Sequence, residues 1–187
     1  MKLSILIPTL NDRRNQKLLK RLMAVLQPQL DKHPGEVEVR TYPSDRSIPT
    51  GTKRNTLIAE SHGDYFCFID DDDMVPEYYV DELLVAIKRK PHVITFIGYM
   101  TTNGANRKEF TIELGSGYFE RNDHYYRYPN HLCCFKKDIV QDVKFPDLWQ
   151  KEDYIWATEI KKRRLLKKEV HICRHMYHYD FVTKKHK

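Results

Sequence analysis

The chain has 187 residues, a formal net charge of +6 and a mean hydropathy of −0.66. A hydrophobic content of 41% beside 31% charged residues excludes a disordered chain and fits one domain with a full core. No apolar stretch approaches the roughly 18–20 residues that a membrane span needs, and the apolar start lacks a signal-peptide cleavage site. We therefore expect a soluble, cytoplasmic protein without a transmembrane segment, lying in the host cytoplasm if the source is a virus.

The excess positive charge is concentrated near the C-terminus. Residues 144–187 hold 12 Lys/Arg and 6 Asp/Glu, whereas residues 1–143 hold 20 of each. The centre of this segment is Lys161-Lys162-Arg163-Arg164 with Lys167-Lys168. A clustered basic face suggests a polyanionic partner, either nucleic acid or an anionic membrane. The alternative is a solvated helix end, where cations favour the helix dipole.

The cysteines indicate a reducing compartment. Most of them lie in apolar, strand-like segments and two are adjacent: Cys67, Cys133, Cys134 and Cys173. That pattern suits reduced core thiols better than a disulfide framework.

The first hundred residues predict a parallel α/β core with the order β-α-β-α-β-α-β. Asn11 or Asp12 can cap the first helix, and Thr50 or Thr52 the second. The predicted strands cover 2–8, 36–42, 65–69 and 93–99, and the predicted helices cover 13–30, about 52–62 and 76–89.

The second half is less regular. Residues 101–130 hold three glycines and five aromatic residues within 118–128, and we predict an irregular loop there. The remaining predicted elements are strands at 132–135 and 170–173, a short element at 139–140, a helix from 152 to the basic cluster and a polar tail from 181.

An apolar strand that ends in Asp70-Asp71-Asp72-Asp73 is the most informative stretch of the sequence. Four adjacent carboxylates repel one another, and a hard divalent cation such as Mg²⁺ or Mn²⁺ compensates them well. In open α/β sheets, ligands bind beyond the carboxyl ends of strands. We therefore favour a metal or nucleotide site over a solvated acidic turn before the helix near Pro76.

Four features resemble family 2 glycosyltransferases of the GT-A fold. They are Ser4-Ile5-Leu6-Ile7-Pro8-Thr9, the G-x-x-R-N pattern of residues 51–55, residues 68–76, which are close to the "F-L-D-x-D-D-x-x-P" signature, and Phe145-Pro146 followed by Glu152-Asp153. The resemblance implies a single GT-A domain over 1–187, with a mostly parallel, Rossmann-like sheet between helices. It implies a nucleotide-sugar-binding half at 1–99 and an acceptor-binding half at 100–187.

The resemblance also implies a metal-dependent, inverting transfer of one sugar from a nucleoside-diphosphate sugar. It places Asp72 on a Mn²⁺ or Mg²⁺ ion, Asp70 near the ribose and as a second metal ligand, and Asp73 on the metal or the sugar. Asp71 is the variable position of the motif, and we include it among the donor contacts. The other implied donor contacts are Pro8, Thr9, Asn11 and Arg54. Turn formation, helix capping or an exposed helix arginine would explain Thr9, Asn11 and Arg54 without a ligand.

A base on the acceptor hydroxyl is also required. The resemblance gives this role to Asp153 first and Glu152 second, although acidic residues at a helix start also favour the helix dipole without any catalytic role.

Two departures from the family pattern concern the nucleotide and the product. The expected aspartate at the end of strand two is missing, so we expect Asp45 to serve, or Tyr42 to stack on the base, with uridine as the default base. The Q-x-x-R-W signature of processive relatives is absent, which favours a single transfer.

The late histidines are candidate metal ligands. Some GT-A enzymes supply such a histidine, so His175 or His178 can complete the site, although tail histidines are more often polar surface. A separate zinc site with His171 and Cys173 matches no common spacing.

The acceptor stays open between a saccharide and a hydroxymethylated DNA base, as in the small soluble enzymes of some phages. We expect Tyr118, Tyr126, Lys161 and Lys162 to contact it, by stacking and by phosphate binding. Two other classes remain, a metal-dependent nucleotidyltransferase and a non-catalytic nucleic-acid-binding module.

Overall fold

The computed structural model describes residues 1–182. Strands and helices alternate through the first half, as the hydrophobic periodicity predicts. The helices are α1 (Arg13–Leu30), α2 (Thr50–Glu60), α3 (Tyr79–Ile87), α4 (Lys137–Val140) and α5 (Glu152–Lys162). The strands are β1 (Leu3–Leu10), β2 (Val37–Ser44), β3 (Tyr65–Phe68), β4 (Val93–Thr102), β5 (Ala105–Ile112), β6 (Phe119–Arg121), β7 (His124–Arg127), β8 (Cys134–Lys136) and β9 (Glu169–Phe181).

One sheet contains all nine strands of the described chain, in the order β2-β1-β3-β8-β4-β5-β7-β6, with β9 paired to β4. Strands β1, β2, β3, β4 and β9 run in one direction, while β8 lies antiparallel between β3 and β4. This is the mixed, mostly parallel α/β sheet that the sequence predicts. The carboxyl ends of β1 and β3 therefore meet at one edge of the sheet.

Helices cover both faces of the sheet. The chain moves from β1 to β2 on one side and returns from β2 to β3 across β1, so right-handed crossovers put α1 and α2 on opposite faces. Helix α1 packs with α3, and α2 packs with α5. Leu22 and Leu26 of α1 and Trp156 of α5 are fully buried. No helix among residues 1–182 has the length and apolarity to cross a membrane.

The structure corrects the prediction of an irregular segment at 101–130. Strands β4 and β5 form a hairpin whose turn, Asn103-Gly104, has positive φ at both residues (51° and 76°). An Asn-Gly pair is the preferred sequence of a two-residue hairpin turn. Strand β7 then pairs with β5 and β6 pairs with β7, so most of this segment belongs to the sheet.

Other boundaries also differ from the prediction. Strand β9 extends to Phe181 because it pairs with β4 from Glu169 to Phe181, with two irregularities in the register, although its polar residues obscure the pattern. Asp12 caps α1 as predicted, accepting from the Asn15 amide at 2.9 Å. Neither Thr50 nor Thr52 caps α2; its N-cap is Pro49, and the Thr52 hydroxyl donates to Asp147. Residues 183–187 of the predicted tail lie outside the described chain.

The cysteines are free thiols. Cys67 lies opposite Cys134 on the neighbouring strand, and Cys133 is buried beside it. Cys173 differs from the expected core position, because it is exposed on β9.

Glu38 on β2 gives the fold a pH dependence. Its carboxylate accepts hydrogen bonds from the Ser4 hydroxyl and the His62 amide, both at 2.6 Å. Burial raises the pKa of Glu38, but these hydrogen bonds outweigh it and lower the pKa to about 2.

We expect Glu38→Gln to lower the free energy of unfolding at pH 7 by about 1–3 kcal/mol, because hydrogen bonds to a charged group are lost. The folded-state pKa lies below the ordinary value of 4.5, so the Glu38 contribution is complete above pH 4.5 and disappears as the pH falls toward 2. Urea unfolding across this range should show a smaller acid-dependent loss in the variant than in the wild type. Glu77→Gln, at an exposed carboxylate, is the control. An equal acid-dependent loss in wild type and Glu38→Gln would contradict the assignment.

Candidate active site

The four aspartates follow β3 at the carboxyl edge of the sheet, and each carboxylate has a different environment. This is possible because residues from β1, α2, β9 and the segment before β8 surround the turn. Three of the carboxylates are held by protein side chains, and the fourth is exposed.

Asp70 pairs with a buried arginine. Arg54 is 2% exposed; its Nη2 donates to Asp70 Oδ1 at 2.9 Å, and its Nε lies 3.5 Å from Glu152 Oε1. The guanidinium also lies 4.8 Å from the centre of the Phe68 ring. Burial lowers the pKa of Arg54, but the charges of Asp70 and Glu152 outweigh it and raise that pKa. Arg54 is therefore a buried cation held between two carboxylates, not an exposed helix residue.

His131 joins Asp70 to Asp153, the candidate base. Its Nε2 lies 3.7 Å from Asp70 Oδ2, and its Nδ1 lies 3.1 Å from Asp153 Oδ2. Burial and Arg54 lower the pKa of His131, but the two carboxylates outweigh them and raise it. Burial raises the pKa of Asp153, whereas His131 lowers it to about 2. Sequence reasoning missed His131, because it precedes a short strand whose place in the sheet leaves no local signal.

Asp71 anchors the turn to β1 and α1. Its carboxylate accepts from the Thr9 hydroxyl and from Asn15 Nδ2 at 2.9 and 3.1 Å. Burial raises the pKa of Asp71. Beside it, the buried Lys53 donates from Nζ to the Thr9 carbonyl at 3.2 Å. Asp71 and Thr9 therefore contact each other. Lys53 and Asn15, which the sequence did not predict as site residues, lie beside them.

Asp73 is held by the last strand. Tyr177 donates its hydroxyl to Asp73 Oδ2 at 2.7 Å, and Met74 and His178 exchange two backbone hydrogen bonds of 2.9 Å. Burial and the charge of Asp70 raise the pKa of Asp73 well above its usual range. Strand β9 thus fixes the C-terminal side of the aspartate turn.

Asp72 is the exposed member of the four, and two cavities meet at its side chain. Burial of its surroundings and the charges of Asp70 and Asp71 raise its pKa. The α2 cavity has a volume of about 610 Å³ and the β9 cavity about 980 Å³; Asp70 and Asp72 line both. The other residues that line the α2 cavity are Pro8, Thr9, Leu10, Asn15, Arg46, Thr50, Lys53, Arg54, Asp71, Trp149 and Glu152. The other residues that line the β9 cavity are Arg14, Asp73, Asn103, Arg127, His131, Leu132, Tyr179, Asp180, Phe181 and Val182.

The structure brings most of the predicted donor residues together, with two exceptions. Pro8, Thr9 and Arg54 line the α2 cavity. Asn11 accepts from Gln16 Nε2 at 3.2 Å, and Asp45 accepts from the Ser47 amide at 2.8 Å. Both lie next in sequence to cavity residues, but neither lines the cavity itself.

The two predicted histidine ligands have different surroundings. His178 lines a small cavity of about 140 Å³ that also contains Asp72 and Asp180, and its Nε2 lies 3.0 Å from the Thr101 hydroxyl. His175 instead lies 2.8 Å from Glu109 on β5, away from the aspartate turn.

The predicted acceptor residues lie outside both cavities. Tyr118 packs edge to face on Tyr154, beside Asp153, with 5.5 Å between ring centres. Tyr126 stacks on Phe119 in the β6–β7 hairpin. Lys161 and Lys162 are exposed at the far end of α5, about 12 Å along the helix from Asp153.

Within residues 1–182, no group of three or more His, Cys, Asp and Glu side chains is arranged to hold a metal ion by itself. Asp72 nevertheless offers an exposed carboxylate, a hard oxygen ligand, at the junction of the two cavities. Mg²⁺ is usually bound by one or two carboxylates together with substrate phosphates. The residues therefore fit a metal ion that binds together with a phosphate ligand.

The G-x-x-R-N and E-D segments pack against each other. The Gly51 amide donates to the Leu148 carbonyl at 3.1 Å, and Asn55 exchanges two 2.9 Å hydrogen bonds with the backbone of Phe145. These contacts place Arg54 against Glu152. The two sequence patterns thus belong to one packed unit.

Comparison with known proteins identifies the family and the fold. The profile described as Glycosyl transferase family 2 matches residues 38–171. The structure of an S. aureus TarS fragment in complex with UDP matches with a TM-score of 0.71 and 16% identity, over 96% of this chain and 60% of that one. The same fragment with UDP-GlcNAc matches with a TM-score of 0.63 and 14% identity, over 100% and 60%. A197 from STIV matches with a TM-score of 0.53 and 13% identity, over 92% and 82%. A comparison with curated proteins gives no match.

The sheet and its strand-end carboxylates define an α/β protein of the GT-A glycosyltransferase type. Since the family profile covers most of the sequence, the chain belongs to glycosyl transferase family 2. It spans about three-fifths of the length of the TarS fragments that it matches.

We expect Gly51→Ala to destabilise the protein by about 1–3 kcal/mol through overpacking. A Cβ atom at Gly51 would lie 1.9 Å from the Pro146 carbonyl oxygen, a backbone atom that cannot rotate away. Urea unfolding should show the loss, whereas Gly115→Ala, where a Cβ meets nothing within 4 Å, should stay near wild type. Equal stability of both variants would contradict the packing of α2 on this loop.

Proposed function

We propose that this chain transfers a single sugar from a nucleoside-diphosphate sugar to an acceptor hydroxyl. The observation that carries the proposal is that two cavities meet at Asp70 and Asp72. The candidate general base, Asp153, lies beside the larger cavity in contact with His131. A donor in the α2 cavity would place its diphosphate near Asp72. An acceptor would then approach through the β9 cavity.

The α2 cavity suits a nucleoside diphosphate. Lys53 and Arg54 are buried cations in its wall, and Arg46 is exposed at it. The Nη1 of Arg54 has no hydrogen-bond partner among the described residues, which leaves a donor for a ribose or phosphate oxygen. UDP and UDP-GlcNAc are the ligands of the TarS structures, and they support a UDP-sugar as the donor here. Pro8, Thr9 and Asp71 would contact the nucleotide, with Asn11 and Asp45 at its edge.

We propose that Asp72 holds a divalent Mn²⁺ or Mg²⁺ ion together with the donor phosphates. Asp70 is the second carboxylate at this junction, and His178 is the better placed of the two histidine candidates because it lines a cavity with Asp72. Such an ion neutralises charge on a leaving diphosphate. The protein itself supplies the buried cation Lys53 and the unpaired Nη1 donor of Arg54 in the same cavity.

Asp153 is the better candidate for the base. Glu152 faces Arg54 in the α2 cavity, where a donor would bind, whereas Asp153 contacts His131 beside the β9 cavity. In the proposed step the acceptor oxygen bonds to C1 of the sugar, the C1–oxygen bond to the diphosphate breaks, and the acceptor proton goes to Asp153. Attack from the face opposite the leaving group inverts the configuration at C1.

The proposed acceptor is a saccharide or a hydroxymethylated base. The proposed compartment is the cytoplasm, because its reducing conditions suit the free thiols. A nucleotidyltransferase with the same aspartates would bind nucleoside triphosphates in preference to UDP-sugars, so ATP belongs in the binding test below.

We expect UDP with Mn²⁺ to raise the melting temperature of the wild-type chain, because a ligand that binds only the folded state stabilises it. UDP alone should give a smaller rise than UDP with Mn²⁺. ATP should not raise the melting temperature more than UDP does. Asp72→Asn should remove the Mn²⁺-dependent part. Asp142→Asn, at an exposed carboxylate after α4, is the control and should keep that part. A wild-type chain that no nucleotide stabilises would rule out the donor site.

We expect Asp153→Asn to lower kcat by about 10²–10⁴-fold, the usual contribution of a positioned base. The UDP-dependent rise in melting temperature should remain, because Asp153 does not line the α2 cavity. The rate is measured as UDP release from a UDP-sugar, with an acceptor on which the wild type is active. A variant with normal kcat would rule out Asp153 as the base.

A further inference from the structure

Helix α1 carries a cationic stripe that the proposed reaction does not use. The stripe consists of Arg13, Arg14, Lys17, Lys20 and Arg21, and all five residues are exposed. Their three- and four-residue spacing places them along one side of the helix, over about 12 Å at about 1.5 Å per residue. The helix contains no Asp or Glu at all. The bulk charge count hides this stripe, because acidic residues elsewhere in 1–143 balance it.

The stripe is unfavourable for the isolated helix. Cations in the first turn oppose the helix dipole, and like charges three or four residues apart repel. Within the described residues none of the five forms an ion pair, although Arg40, Arg107 and Arg174 of the sheet do. A helix whose charges oppose its own stability, without ion pairs that compensate them, is expected at a functional surface.

The stripe lies beside the active site. Arg14 lines the β9 cavity together with Asp72, and Arg21 Nη2 donates to the Asp72 carbonyl at 2.8 Å. The C-terminal basic cluster has the opposite location. The Lys168 carbonyl accepts from the His92 amide, just before the amino end of β4, at the other edge of the sheet from the aspartates. The α1 stripe, not the C-terminal cluster, is therefore continuous with the proposed acceptor entrance.

We propose that the α1 stripe binds the phosphates of a nucleic-acid strand, and that this strand presents a hydroxyl group on one of its bases to the β9 cavity. This inference rests on the proposed function and specifies its acceptor. The transfer step is unchanged, with the base hydroxyl as the acceptor oxygen.

Two features favour nucleic acid over a membrane. Regularly spaced cations neutralise successive phosphates, and Tyr179 and Phe181 in the β9 cavity offer rings on which a base can stack. A membrane-binding helix instead needs large exposed apolar residues between its cations. The exposed large hydrophobic residues of the described chain lie outside α1.

The test is fluorescence anisotropy of a labelled single-stranded oligonucleotide that contains 5-hydroxymethylcytosine, with the full chain. We expect binding that weakens by about 20- to 100-fold between about 50 and about 200 mM salt, as three to five phosphate contacts require. The double variant Lys17→Glu/Lys20→Glu should weaken binding by at least about tenfold, since each reversal removes a phosphate contact. The control, Lys88→Glu/Lys167→Glu, makes the same change in formal charge near the amino edge of the sheet and should stay within about threefold of wild type.

No binding by the wild type, or an equal loss in both double variants, would overturn the proposal. Binding to phosphatidylserine vesicles that the α1 variant loses, without oligonucleotide binding, would also overturn it in favour of a membrane. The rise in melting temperature with UDP and Mn²⁺ should persist in the α1 variant, which shows that the fold and donor site are intact. If the wild type lacks that rise, the proposed function fails, while the oligonucleotide result still tests the stripe separately.

Discussion

The buried guanidinium of Arg54 is the interaction on which the site depends. Four adjacent carboxylates at one strand end repel one another, and burial adds a desolvation cost to each charge. Arg54 neutralises Asp70 directly at 2.9 Å and places Glu152 on its other side. The remaining members of the turn are then held separately, Asp71 by β1 and α1 and Asp73 by Tyr177. Only Asp72 keeps an exposed carboxylate, so a single position of the turn remains open to a ligand.

The same guanidinium determines how the distant sequence patterns cooperate. Arg54 can lie between the two carboxylates because α2 packs closely on the loop before α5, at Gly51 and Asn55. A larger residue at Gly51 would separate these segments, although neither it nor Asn55 contacts the aspartates. The family pattern therefore combines residues that line the cavities with residues that keep the cavity walls together.

The sequence allowed the βαβ core, the aspartate turn and most donor-side residues to be predicted, since periodicity and strand ends are local signals. It did not reveal His131, Lys53 or Tyr177, because their roles depend on pairings between remote segments. Strand β8 lies between β3 and β4 although it follows them in the chain, and this insertion brings His131 to the site. Similarly, the charge count attributed the basic surface to the C-terminus, whereas the folded chain shows a second basic surface on α1. The Asn103-Gly104 turn was a local signal for the β4–β5 hairpin that the aromatic loop obscured.

The pairing of Met74 with His178 has a consequence for folding. Contacts between residues so far apart in sequence form slowly, because a long loop must close first. The aspartate turn acquires its final geometry only when Tyr177 reaches Asp73, after almost all of the described chain has left the ribosome. A nascent chain can therefore form the β1–β3 core while its cluster of negative charge is still open. The site is therefore completed last, because its closing contacts span about a hundred residues whereas the β1–β3 pairing spans about sixty.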